Sequence, residues 1–157
     1  MNAPTALVAV TQEAAMSAAP AVIGRLGPFD VGFDGTLAAR DLADRPSFGF
    51  RWRGRRIAAC LDEERRVVFS VLAAHVPFTA ESAEARPRVM AAIAALRDAL
   101  PRGWRLRLSP DHGVHLETAA LLGSPPTARR LVAAATEFVL ALDPCLDLLE
   151  EQGARAA

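Results

Sequence analysis

Apolar residues recur along the chain with two different periods, and the points where the period changes divide it into elements. From Thr11 to Leu26 the residues Met16, Ala19, Ile23 and Leu26 fall on one side at helical spacing, with Pro20 as a kink or a true start. The pattern predicts a helix over 11–26, preceded by a loose tail over 1–10. Phe29, Val31 and Phe33 then alternate with polar or small residues up to Asp34-Gly35, which predicts a strand and a turn. Segment 37–46 reads equally as a helical turn or a loop.

The middle of the chain is written more plainly. Phe48, Phe50 and Trp52 face one way and Arg51 and Arg53 the other, so 48–53 predicts a strand. Gly54 permits a turn into a second strand over 55–61, and the charged loop Asp62–Arg65 leads into a third over 66–78. Pro87 suits the first turn of a helix whose stripe is Val89, Ile93, Leu96 and Leu100, ended by Pro101 and Gly103. Trp104, Leu106 and Leu108 alternate with Arg105 and Arg107. After the turn over 109–113, where Gly113 is the residue expected at positive φ, Val114 and Leu116 alternate with His115 and Glu117, which predicts a hairpin. A last helix carries Leu131, Ala135, Phe138 and Leu142, with Ser124 or Thr127 as cap and Asp143-Pro144 as a break into a second segment. The expected fold class is α+β: a single antiparallel sheet with helices packed against it, in the order helix, meander, helix, hairpin, helix. One domain is expected over 11–157.

Length and charge narrow the function classes. A chain of 157 residues builds one real core, and 52% hydrophobic with 23% charged residues marks a globular protein. The net charge of zero argues against generic binding to nucleic acid or a membrane surface. The charge is nonetheless uneven. Residues 40–66 hold eight arginines against five acids, and 131–157 hold five acids against one arginine. All 18 basic residues are arginine, and there is no tyrosine. The first twenty residues lack a basic start and carry Glu13, unlike a secretory signal, and no run of about 18 apolar residues is present. A cytoplasmic protein is the expectation.

Candidate chemistry is sparse. His112 and His115 fall on different parts of a hairpin and His75 lies far from both, so no metal and no cofactor are expected. Cys60, His75 and Asp62 assemble a nucleophile set on paper, but Cys60 falls in an apolar strand where a low-pKa thiol is not expected. Cys60 and Cys145 form no CxxC pair and are expected as two reduced thiols. Without lysine, phosphate-loop and Schiff-base chemistry are excluded. Arg51, Arg53, Arg105 and Arg107 form a basic sheet face suited to an acidic partner segment, including the chain's own acidic final helix. The aromatics alternating with them point to the core, which weakens an RNA reading. The expectation is therefore a non-enzymatic protein. The rivals are a small enzyme using Cys60 or His75, His112 and His115, and a nucleic-acid binder through the four arginines.

The central stretch 55–78, the helix from Pro87, the hairpin 102–118 and the closing segment 138–151 resemble the type III secretion chaperone-like fold, which includes the Tir-chaperone and YbjN-like families. The resemblance covers about residues 29–151 and rests on element order, lengths and loose patterns. It implies a small bacterial cytoplasmic protein, typically a homodimer, that binds a protein client or acts as a regulator, with no catalytic residues. Secretion chaperones are usually acidic and this chain is neutral, which favours the YbjN-like branch. A dimer interface is expected on the middle helix at Arg88, Ala91, Ala95, Asp98 and Ala99, where low-relief alanines let two helices approach and Arg88 meets Asp98 of a two-fold copy.

Overall fold

The computed structural model describes residues 21–41 and 45–157. Of the helix expected over 11–26, residues 11–20 lie outside the described residues, and 22–26 form a strand instead. Val22 and Ile23 are β-branched and Gly24 follows them, so the segment favours extended backbone over a helical turn. It forms β1 (Val22–Leu26), and Gly27 at φ 56° turns it back into β2 (Phe29–Gly32). Asp34 accepts hydrogen bonds from the Thr36 amide and hydroxyl, a tight turn that leads to β3 (Leu37–Ala39). These bonds hold the Asp34 carboxyl below the usual range, the Thr36 backbone amide contributing most.

The expected single sheet is therefore corrected: the chain builds two. β1, β2 and β3 close on themselves through tight turns as a three-stranded sheet. Thr36 bridges Thr127 rather than any strand of the larger sheet, so the small sheet is moored to the start of the last helix. The larger sheet is antiparallel and six-stranded. It contains β4 (Ser47–Trp52), β5 (Arg55–Leu61) and β6 (Arg66–His75), then β7 (Arg105–Leu108) and β8 (Gly113–Leu121), in the order β4-β5-β6-β8-β7, with β9 (Arg155–Ala156) beside the end of β6. The expected meander and hairpin are both present. Asp62 closes the β5–β6 turn by accepting from the Arg66 and Glu64 amides and the Arg66 guanidinium, and its carboxyl lies below the usual range, chiefly through the Arg66 amide.

Two helices cover one face of this sheet. α1 (Ala85–Ala99) buries Val89, Ile93 and Leu96. α2 (Ala128–Glu151) is capped by Thr127, whose hydroxyl accepts from the Arg130 amide. The break expected at Asp143-Pro144 does not occur: α2 runs unbroken through Pro144. Pro144 and the preceding turn at Leu140 are exposed, so water can serve the carbonyl that loses its partner. Leu142, Cys145, Leu146 and Leu149 stay buried beyond the proline, and that packing holds both halves on one axis. Phe138 links helix to sheet, its ring stacked 5.1 Å from Phe69 and 5.0 Å from Trp104. The opposite face of the sheet carries no layer among the described residues.

Candidate functional site

The β7–β8 turn differs from the expectation in one respect. Its positive φ is at His112 (63°), and Gly113 is needed for space instead. A Cβ on Gly113 would lie 2.8 Å from Ser109 Oγ and 2.9 Å from Leu72 Cδ1. The Ser109 hydroxyl donates to the Gly113 carbonyl at 3.0 Å and lies 3.1 Å from His115 Nε2. Ser109 also holds the Asp111 carboxyl below its usual range. The single serine proton is shared between the Gly113 carbonyl and the Asp111 carboxylate, and Asp111 lies by the serine rather than behind the His115 ring. These contacts close a turn. His112 packs edge-on against Phe78 at 4.9 Å, and its Nδ1 is buried with no hydrogen-bond partner among the described residues. No group of three metal-ligating side chains occurs among the described residues.

The cysteine set is not brought together. Cys60 pairs with Val68 near the start of β6, and His75 ends that strand. Seven residues of extended chain, about 23 Å, separate the two positions. Asp62 is committed to Arg66. Cys145 is buried in α2 and bonded to the Ala141 carbonyl, and burial pushes its thiol pKa up.

The four arginines do not share one face. Arg51, Arg105 and Arg107 stand on the bare face, but Arg53 is a turn residue at φ 47° and swings to the helix side. Its guanidinium donates to Asp147 (2.6 Å) and Glu150 (2.9 Å) and lies 3.7 Å from Asp143, which raises its pKa. So the acidic final helix does meet a basic segment of its own chain, at one arginine of the four. The most buried member of this network is Arg55, at the start of β5. Only 3% exposed, it donates from Nε to the Ala73 carbonyl (2.5 Å) and from Nη2 to Glu150 (2.7 Å). The β5–β6 ladder ends at Ile57 opposite Val71, so Arg55 supplies by side chain the bond that the ladder no longer offers Ala73. Trp52 Nε1 donates to Asp143 at 2.7 Å and completes the clamp.

Arg105 and Arg107, by contrast, pair across the ladder with Glu117 and His115, the closest Arg105–Glu117 approach being 3.9 Å with the arginine 83% exposed. Replacing both arginines by Gln is expected to cost less than about 1 kcal/mol in urea unfolding, as for exposed ion pairs. A loss of several kcal/mol would mean that the bare face is covered in solution.

The feature that stands out as a binding site lies beside β4. Among the described residues this strand has β5 on one side and no strand on the other. The Leu61 amide donates to the Pro46 carbonyl, so residues 48, 50 and 52 turn their backbone groups to β5 and 47, 49 and 51 turn theirs outward. Alongside runs a groove of about 330 Å³ floored by Phe48 and Phe50 and walled by Leu26 on one side and Leu131, Val132 and Ala135 on the other. Val132 is 56% exposed although apolar. The sequence carried that signal: Val132 and Leu140 are apolar positions outside the Leu131–Phe138–Leu142 stripe. Leu26 was hidden because its segment read as helix.

On α1, the five residues expected at a dimer contact, Arg88, Ala91, Ala95, Asp98 and Ala99, are all exposed. No helix among the described residues is long and apolar enough to cross a membrane. No family model, no curated protein and no solved structure matches the chain.

Proposed function

We propose that this protein is a non-enzymatic protein-binding module, chaperone-like or regulatory, that holds an extended segment of a partner protein along β4. The observation that carries the reading is a strand edge that has no partner among the described residues, with an apolar groove running beside it. Outward amides and carbonyls at 47, 49 and 51 supply main-chain hydrogen bonds, and the groove takes alternate side chains of an added strand. The resemblance to secretion chaperones and YbjN-like proteins points the same way, and a cytoplasmic location belongs to this reading. Val132→Asp tests it, because the side chain is exposed in the free protein but would place a charge inside an occupied groove. Binding of a selected apolar peptide, read by fluorescence anisotropy, is expected to weaken at least tenfold, as when an uncompensated charge is buried at an interface. Leu140→Asp, on the solvent side of the same helix, is expected to leave binding unchanged. Equal affinity for wild type and Val132→Asp would sink the reading.

A homodimer through α1 is part of the proposal. Its support is the exposure of Arg88, Ala91, Ala95, Asp98 and Ala99 as one flat face of the helix. Ala95→Glu would bury two unpaired carboxylates at a two-fold contact, and light scattering is expected to show the mass fall to the 16.7 kDa of one chain. A wild-type protein that is already monomeric at tens of micromolar contradicts the dimer.

A further inference from the structure

We infer that the partner strand carries acidic side chains alternating with apolar ones, and that Arg51 and Arg56 select them. This inference rests on the strand-addition reading above and adds the partner's chemistry to it. Arg51 and Arg56 are directly opposite each other on β4 and β5, on the bare face. Like charges in that position oppose pairing unless an anion joins them. Other arginines nearby have carboxylates: Arg53 and Arg55 meet the acids of α2, and Arg66 meets Asp62 and Glu64. Arg51 has only the Gly54 carbonyl, and Arg56 has no hydrogen bond or ion pair among the described residues.

Gly49 leaves open space on β4 beside Arg56. A Cβ there would come within 3.6 Å of Arg56 Nε and 2.9 Å of the Ile57 carbonyl oxygen. The Arg56 side chain therefore leans over β4 at Gly49, on the strand that carries Arg51. A strand added at that edge alternates its side chains between the two faces. Those entering the groove meet Phe48, Phe50 and Val132. Those on the other face pass Ser47, Gly49 and Arg51, within reach of both guanidiniums. The fork geometry of arginine suits carboxylates. Phe48, Phe50 and Trp52 all point to the helix side, so on β4 and β5 no aromatic ring among the described residues lies beside Arg51 and Arg56 for a nucleotide base to stack on. An acidic protein segment is the occupant that fits.

Three synthetic ten-residue peptides test this, with the same apolar residues on one face and Glu, Gln or Lys on the other, read by fluorescence anisotropy at low and high salt. Wild type is expected to bind the Glu peptide about tenfold more tightly than the Gln peptide, and the Lys peptide most weakly, with the preference shrinking in high salt. In the double variant R51Q/R56Q the preference should vanish while affinity for the Gln peptide is kept. R51E/R56E should reverse it. Both arginines are exposed, so circular dichroism of the variants is expected to match wild type. If Glu and Gln peptides bind wild type equally, the inference is wrong and the strand-addition reading stands. If none of the three binds, that reading fails and the inference with it. A preference that survives in R51Q/R56Q, or displacement of the Glu peptide by a single-stranded DNA oligomer, also overturns it.

Discussion

Phe138→Ala is expected to lower the stability of the fold by about 4 kcal/mol, the largest loss from any single substitution considered for this chain. The ring is 2% exposed and lies between Phe69 on β6 and Trp104 just before β7, with both partners stacked on it. Removing it deletes buried apolar surface and leaves a cavity that the two flanking aromatics cannot close, since each is fixed on the sheet side. Urea unfolding measures the loss, and Trp104 emission should shift to the red as water reaches the indole. Leu140→Ala, two residues along the helix but exposed, is the control and is expected to be nearly neutral. A loss below about 1 kcal/mol for Phe138→Ala would mean that α2 does not rest on the sheet through this ring.

Glu150→Ala is expected to cost about 3 kcal/mol, because it strands the buried Arg55 cation, although Glu150 itself is 37% exposed. Arg55 loses its only carboxylate among the described residues and stays buried as a cation, held by the carbonyls of Ala73 and Arg53. Arg53 loses one of its three acids at the same time, so the tie between the β4–β5 hairpin and the end of α2 weakens on both sides. Asp147→Ala removes a more exposed acid and should cost under 1 kcal/mol or so. The order of the two costs is the check, since a loss for Asp147→Ala equal to that for Glu150→Ala would place the clamp on Arg53 rather than on Arg55.

The larger sheet was legible in the sequence because its strands alternate strictly and its turns use residues suited to them. Phe48, Phe50 and Trp52 against Arg51, and Leu106 and Leu108 against Arg105 and Arg107, leave one choice of face each. The first helix was misread because Ile23 and Leu26 match helical spacing as well as strand pairing. Only the β-branched pair Val22-Ile23, followed by Gly24 and Gly27, distinguishes the two. Pro144 misled for a different reason: a proline read alone marks a break, but burial of Leu142, Leu146 and Leu149 on one side outweighs the single missing hydrogen bond. Arg53 was assigned to the wrong face because alternation was carried one residue past the end of β4, into a turn. The groove was least legible, since it joins Leu26, Phe48 and Val132 across three elements, and no local pattern reports that closeness.

The central claim is that a partner strand adds to β4, and backbone amide hydrogen exchange on the complex with an apolar-acidic peptide tests it most directly. In the free protein the amides of 48 and 50 already face β5, whereas those of 47, 49 and 51 face outward. The account predicts that peptide binding slows exchange at Gly49 and Arg51 while Phe48 and Phe50 change little, an alternating pattern that a side-chain contact alone does not produce. Protection confined to the α1 face around Ala95, or to the turn of Ser109 and His115, would contradict it.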